Sequence, residues 1–514
     1  MTDTDATTDT AAAYEELVDG LRATFRSGRT KSIDWRKAQL RGLIRLIEEN
    51  GDELERALAE DLGRPPVEAH AADLGVTVVE IKYLLKHLDS WARPQKRRMP
   101  LTSMPGKARV VSEPLGVAFV IAPWNYPVQL LLSPMAAAIA AGNAVVGKPS
   151  EISPTCSAAL ARLIPQYVDD DAIAIVEGAV PETTALLEQK FDLIFFTGST
   201  SVGGVVMKAA AKNLTPVVLE LGGKSPTIVT SDADLDVAAH RIVWGKGLNA
   251  GQTCIAPDYV LVERSVQDAL VDKMADVLRE FYGASPHNSD SFSRIVSDRH
   301  LQRLKGLIES SGGTVVVGGE SDDDDRYLAP TVIVDPDLDS PIMQEEIFGP
   351  VLPIVAVDHL SEAIDFINER PKPLALYLFS ASDAAAERVQ NETSSGGMCV
   401  NHAIVHMVPN NVPFGGVGPS GMGAYHGKDG FDSFSHRKTV VTKPTRPDPK
   451  LLYPPYTSLK EKIIRKAIPQ IPSEPGWPEH HALENAVLTS PDLWPVKKRT
   501  DLKPILQRYR SERS

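Results

Sequence analysis

Leu193-Ile-Phe-Phe-Thr-Gly198-Ser-Thr-Ser-Val-Gly203, running on into Val205-Val-Met-Lys-Ala-Ala-Ala-Lys212, decides how this chain folds. A short apolar run stops at a glycine turn, and helical sequence starts straight after it. The same succession recurs on both sides. Val117-Ala-Phe-Val-Ile-Ala122, Ala144-Val-Val-Gly147, residues 172–176 and Val217-Val-Leu219 are short apolar strands separated by helix-like stretches. Such alternation specifies a parallel, doubly wound sheet covered on both faces. A second series lies within residues 225–414: Thr227-Ile-Val229, Tyr259-Val-Leu-Val262, Thr314-Val-Val-Val317, Thr331-Val-Ile-Val334 and Val351-Leu-Pro-Ile-Val355. The fold class is therefore α/β, with two doubly wound parallel-sheet domains.

The chain's 514 residues exceed what one hydrophobic core serves, which agrees with two domains. Residues 14–91 read as helical, with Leu40, Leu43, Ile44 and Ile47 on one face. Residues 1–12 are polar and are expected to be disordered. Residues 93–107 are basic and carry prolines, the pattern of an extended arm. From residue 443 onward lie twelve of the 39 prolines, too dense for a packed domain, so an extended tail is expected. Within it, residues 458–468 form one short amphipathic helix.

A net charge of −13 argues against a nucleic-acid partner. Three cysteines exclude a disulfide framework and fit a reducing compartment. The N-terminus lacks the basic and apolar regions of a secretory leader, which makes the cytosol the expected location. The longest uncharged apolar stretch, residues 130–146, is shorter than the roughly 18 residues of a membrane span. It reads as a buried helix leading into a strand. Asp322 to Asp325 reads as a solvated loop, because four consecutive carboxylates cannot all converge on one ion.

Chemistry concentrates around Cys254, in Asn249-Ala-Gly-Gln-Thr-Cys254-Ile-Ala-Pro257. It is the one cysteine with a glycine-rich approach. Cys156 sits in helical sequence and Cys399 in strand-like sequence, and both read as buried, inert thiols. A free thiol of pKa about 8.5 is mostly protonated at neutral pH, so a nucleophile here needs a dipole, a cation or a cofactor. Upstream lies Glu220. A thiol and a carboxylate can form and hydrolyse a thioester, provided that they meet in space. The Gly198–Gly203 turn suits phosphate, although such turns also serve as plain helix caps. Lys148-Pro-Ser150-Glu151 fits ribose hydroxyls, and equally a helix N-terminus capped by Ser150 or Ser153. Gly222-Gly-Lys-Ser225 is not a P-loop, because Val218 stands where that motif needs glycine. No Cys/His metal spacing is present.

Taken together, six strings occur in order: Pro123-Trp124-Asn125-Tyr-Pro, Gly-Asn-Ala-Val-Val-Gly-Lys148-Pro-Ser150-Glu151, Phe-Thr-Gly198-Ser199-Thr200-Ser201-Val202-Gly203, Leu-Glu220-Leu221-Gly222-Gly-Lys-Ser-Pro, Gly-Gln-Thr253-Cys254, and Glu345-Glu346-Ile-Phe348-Gly-Pro. The series resembles the aldehyde dehydrogenase superfamily over residues 20–445. Pro413-Phe-Gly-Gly-Val-Gly-Pro-Ser-Gly-Met-Gly-Ala-Tyr-His-Gly427 and Ala209-Ala-Ala-Lys-Asn-Leu-Thr-Pro-Val217 resemble its class 3, or fatty-aldehyde, branch.

That resemblance implies a Rossmann-like cofactor domain (residues 13–92 and 115–224), a catalytic domain (225–416), an oligomerisation arm (93–114 and 428–445) and a tail (446–514). It implies that Cys254 attacks the aldehyde, that Asn125 and the Cys254 N–H hold the oxyanion, and that Glu220 activates the water that hydrolyses the thioester. Glu346 and Phe348 would meet the nicotinamide ribose and ring, and Pro123, Trp124, Ser150, Leu221 and Gly222 would also contact the cofactor. Lys148 and Glu151 would meet the adenosine ribose, and Gly198, Ser199, Thr200, Ser201, Val202 and Gly203 the pyrophosphate. Tyr126, Trp244, Thr253, Ile255 and Ile404 would line a substrate tunnel. NAD is the implied cofactor, with NADP also possible, since Ser199 departs from the branch's usual Asn. The implied substrates are a medium- or long-chain aliphatic, or an aromatic, aldehyde and water; the implied assembly is a homodimer. The alternative is a cofactor-independent thioesterase or esterase using the same Cys254 and Glu220.

Overall fold

The computed structural model describes residues 3–100, 103–446, 448 and 450–467. The proline-rich tail expected beyond residue 467 lies outside the described residues. Two sheets organise the chain. The first has six strands in the order Gly421–Met422, Val217–Glu220, Leu193–Thr197, Val117–Ile121, Ala144–Lys148, Ile173–Ile175. All neighbours are parallel except the first pair. The chain moves from Val117–Ile121 toward one edge and later returns on its other side. The order therefore reverses between Val117–Ile121 and Leu193–Thr197, the kind of place where open α/β sheets bind ligands beyond their carboxyl ends. Every residue of Val117–Ile121, Ala144–Lys148 and Leu193–Thr197 is buried, which is why these runs do not alternate with polar residues. Residues 130–146 form the expected helix, Gln129–Ala141, buried at every position, followed by a strand.

The second sheet has seven strands in the order Thr314–Val317, Thr331–Val334, Val351–Val357, Tyr259–Glu263, Pro226–Val229, Ala375–Phe379, Gly397–Val400. Only Thr314–Val317 runs antiparallel to its neighbour. Ala375–Phe379 was not among the strands expected. Its run is apolar on both faces, and Pro371 and Pro373 just before it read as loop punctuation. One continuous apolar cluster joins the two sheets, from Val120 and Phe195 in the first to Ile228 and Leu378 in the second. A separate cluster covers the first sheet's other face, where Phe119, Phe191 and Phe196 meet Val18 and Leu21.

Those last two side chains belong to the helix Asp3–Arg26, so the disorder expected over residues 1–12 does not hold for residues 3–12. Ala11-Ala-Ala13 have the highest helix propensity. The arm is a three-stranded sheet of Gln95–Arg97, Lys107–Pro114 and Ser435–Thr442. Its expected start at residue 428 is corrected. Residues 427–433 are a helix whose Phe431 is 1% exposed and packs on Trp91, ring centroids 5.7 Å apart. The phenylalanines at 431 and 434 share one helix face and are drawn into the core. Residues 98–108 and the segment from 441 form a second compact unit, in which Lys443 Nζ donates to the Ser103 carbonyl at 2.6 Å. It includes the expected short helix, Ser458–Ala467.

In the 322–325 run Asp322 and Asp325 both face His287, at 3.7 and 2.9 Å, and the other pairings go elsewhere. Asp323 pairs with Lys305 at 2.8 Å and Asp325 with Arg294 at 2.7 Å.

Candidate active site

The helix Leu235–Gly247 gives way to a tight turn in which Asn249 (φ 52°), Ala250 (φ 50°) and Gly251 (φ 72°) are all left-handed. Alanine in this region costs about 1–2 kcal/mol, so surrounding groups have to impose it. Glycine at 251 is obligatory, since a Cβ there would lie 2.2 Å from the Gly349 carbonyl. Glu68 accepts from the Asn249 N–H at 3.0 Å. The Asn249 amide donates to the carbonyls of Asn125 (2.9 Å) and Gln252 (3.2 Å). Gln252 in turn donates to the carbonyls of Asn249 (3.0 Å) and Arg294 (2.9 Å). The loop ends by presenting Cys254 at a cavity of about 210 Å³.

That cavity lies at the reversal point of the first sheet. Its walls include Pro123, Trp124 and Asn125 beyond Val117–Ile121, and Gly198 and Ser199 beyond Leu193–Thr197. Glu220, Leu221 and Gly222 come from the end of Val217–Glu220, and Glu346 and Phe348 from across the cavity. The thiol and the carboxylate upstream of it therefore line one cavity. The Asn125 side chain is 3% exposed, and its Nδ2 donates to the Gln252 carbonyl at 3.1 Å.

The electrostatics are unfavourable to charge. Burial, then Glu346 and Glu220, push the Cys254 thiol up to about 12. Glu220 is 3% exposed, neither of its oxygens has a hydrogen-bond partner, and burial raises its carboxyl well above the usual range. Burial, reinforced by Asp258, lifts Glu346 to about 8. A resting site with three neutral acids is protected from premature chemistry, and it needs added positive charge to become a nucleophile. Without cofactor, alkylation of Cys254 by iodoacetamide should keep rising from about pH 7 to pH 10, nearly tenfold per unit, because the thiolate fraction rises tenfold per unit below the thiol's pKa. Peptide mass spectrometry reads it; a plateau below about pH 9 contradicts the raised thiol.

The pyrophosphate candidates lie beside this cavity. Ser199 caps the helix Thr200–Ala211, its Oγ accepting from the Val202 N–H. Thr200, Ser201, Val202 and Gly203 make up that helix's first turn, with Gly203 packed on Leu221. Lys148 ends its strand and pairs with Glu151 at 3.1 Å, next to Ser150. Ser153 stands at the N-cap of the following helix, but neither its side chain nor that of Ser150 caps it. Asp61 does so from a distant helix, accepting from the N–H groups of Thr155 (3.2 Å) and Cys156 (2.8 Å).

The five tunnel candidates sit off the cavity wall. Tyr126 is buried, and its hydroxyl bonds the Thr253 hydroxyl at 2.7 Å. Ile255 and Ile404 are buried, and Ile404 is itself left-handed (φ 68°). Trp244 is 39% exposed and stands edge-on to His402. Cys156 and Cys399 are both buried. Four wall residues were not anticipated: Leu130, Thr197, His300 and Arg303. His300 packs on Trp124, and burial beside Arg303 and Arg299 lowers it to about 4. Arg303 donates to the carbonyls of Glu346 and Ile347. Thr197 was readable as the residue before the glycine turn. The other three carry no local signal.

Comparison with known proteins gives the family. The sequence model described as aldehyde dehydrogenase family matches residues 4–440. The chain is 49% identical over 448 residues to aldehyde dehydrogenase family 3 member A2 of Rattus norvegicus, covering 87% of this chain and 92% of that protein. It is 49% identical over 436 residues to the same organism's "Aldehyde dehydrogenase, dimeric NADP-preferring", covering 84% and 95%. A structure described as the substrate-bound state of Staphylococcus aureus AldH superposes with a TM-score of 0.86 at 45% identity, covering 88% of this chain and 98% of that one.

Proposed function

This chain belongs to the aldehyde dehydrogenase family and oxidises an aldehyde to the carboxylic acid with NAD or NADP, and from that premise we propose that Cys254, Glu220 and Asn125 carry the reaction. The supporting observation is that one cavity at the sheet's reversal point holds all three side chains together with Glu346 and Phe348. The wall also suits a dinucleotide. The Thr197 hydroxyl is buried there without a partner, Trp124 and Phe348 offer an aromatic edge, and a helix N-terminus opens beside Ser199. Bound there, the dinucleotide supplies the acceptor for the two electrons leaving the aldehyde carbon. Glu346 and Phe348 would hold its nicotinamide half with Pro123, Trp124, Leu221 and Gly222. Gly198–Gly203 would hold its phosphates, and Lys148, Ser150 and Glu151 its adenosine ribose.

The Cys254 sulfur adds to the aldehyde carbonyl, giving a hemithioacetal. The amide of Asn125 and the backbone N–H of Cys254 hold the oxyanion, an arrangement typically worth about 2.7–4 kcal/mol per donor. Oxidation leaves a thioester on Cys254. Glu220 then takes a proton from water, which attacks the acyl carbon and releases acid and thiol. A neutral carboxyl at rest suits this order, because the base becomes competent only as it ionises. The aldehyde's medium-length, long or aromatic chain would run past Tyr126, Thr253, Ile255 and Ile404, with Trp244 at the outer end. The family membership gives no support to a cofactor-independent thioesterase.

We assign residues 13–92 and 115–224 to cofactor binding, 225–416 to catalysis, and the three-stranded sheet to a homodimer contact. Supporting the last, the rat relative is named dimeric. Among the described residues no helix is long and apolar enough to cross a membrane, and cysteine usage favours the cytosol. The test is a kcat/KM series over short, long and aromatic aldehydes with NAD and NADP in parallel, on protein of measured solution mass. Formation of reduced cofactor by a species of twice the chain's 55.7 kDa is expected; its absence with every aldehyde overturns the assignment.

A further inference from the structure

Behind the cavity lies a charge pair that the reaction does not use. Arg64 and Asp73 are both 0% exposed at the side chain and pair at 2.9 Å. A loop arginine and a helical aspartate wholly removed from water are an expensive pair to bury, unless they hold something else. Arg64 Nε is buried without a partner, and the pair's other side-chain contacts run toward the active site. Arg64 Nη2 donates to the backbone carbonyl of Asn125. The guanidinium lies 4.6 Å from the ring centroid of Tyr126, whose hydroxyl bonds Thr253, the residue before Cys254. Asp73 Oδ1 accepts from the Gln129 N–H, at the start of the helix that follows Asn125. The Asn125 carbonyl also accepts from Asn249 in the nucleophile loop.

We propose that Arg64, locked by Asp73, is a positioning residue for the oxidation: it fixes the Asn125 peptide, and through Tyr126 and Thr253 the register between the oxyanion donor and the Cys254 loop. Segments 125–129 and 249–254 come from different sheets, and no strand ladder joins them. Cross-links of this kind are what hold the Asn125 amide within bonding distance of the oxyanion. A misplacement of about 1 Å by a residue remote from the chemistry can cost about 10²-fold in rate. The inference rests on the reading of Asn125 as an oxyanion donor.

The test is a double-mutant cycle in the full-length protein. Asn125→Ala should lower kcat by about 10²–10³-fold. Arg64→Lys keeps the charge and loses the planar fork, and should lower kcat by about 30–100-fold with aldehyde and dinucleotide KM within about threefold. In the Asn125→Ala background it should cost less than about threefold, because the group it positions is gone. Equal factors in both backgrounds, or a loss under about threefold in the parent, overturn the proposal while leaving Asn125's role intact. Full turnover by Asn125→Ala overturns both. If Arg64→Lys does not fold, Asp73→Asn replaces it in the same cycle with the same readings. It keeps the acceptor for the Gln129 N–H and removes the charge.

Discussion

Cys254→Ala is expected to lower kcat by about 10⁴-fold or more while dinucleotide affinity stays within about twofold of the parent. The size follows from the loss of the bond-forming atom. Without sulfur there is no hemithioacetal, and what survives is whatever the Asn125 donor and simple binding contribute. Neither other cysteine can substitute. Cys156 is fully buried in a helix and Cys399 is 8% exposed on a strand of the second sheet, whereas Cys254 lines the cavity. Cofactor affinity should persist because Cys254 carries none of the phosphate or ribose contacts proposed above. Steady-state formation of reduced cofactor, with a fluorescence titration of the dinucleotide, reads both quantities. Turnover within tenfold of the parent would remove Cys254 from the mechanism.

Glu220→Gln should separate the two halves of the reaction. The first turnover, a burst of about one reduced cofactor per site, should remain, while the steady state falls by about 10²–10³-fold, inside the range for loss of a general base. The parent should also show a distinctive pH profile. A base must be ionised to act, so deacylation climbs with pH; a carboxyl raised by burial moves that climb well above the ordinary carboxylate range. Glu220→Gln should flatten it. The same shift weakens the fold as pH rises. A folded-state pKa above the unfolded one means the unfolded chain binds fewer protons, so this carboxyl's contribution to stability declines between the two values. A normal steady state together with a normal burst would clear Glu220 of the role.

Most of this site was legible because its parts sit where strands stop. Asn125, Gly198 and Glu220 each follow a short apolar run by a few residues, so reading the strands located the loops. The Cys254 loop was readable from its small residues. What escaped the sequence shares one physical property, an origin far away along the chain with no local pattern. Arg64 and Asp73 sit on the helical N-terminal region as ordinary charged residues, and only the folded chain reveals them as dry. Asp61 caps a helix more than ninety residues downstream, where serines offered the obvious local candidates. His300 and Arg303 share a helix, Asp298–Glu309, whose sequence speaks of an amphipathic surface element. Val18 and Leu21, in a stretch that reads simply as helical, find their apolar partners only on the far face of the first sheet.

The two-residue strand Gly421–Met422 closes the edge beside Val217–Glu220, pairing Gly421 with Glu220 itself. Gly421 adopts φ 147°, and a Cβ there would strike the Leu219 carbonyl. The Leu221 N–H donates to Ser420 in the same return of the chain. On the ribosome, therefore, the strand that bears Glu220 emerges long before its last neighbour exists. Until residue 421 has been made and released, that border is an open row of donors and acceptors, the adhesive kind of edge that a nascent chain has to keep from other chains. A product truncated ahead of this segment would retain the thiol loop yet lack the clasp, so its hazard to the cell is stickiness rather than stray catalysis.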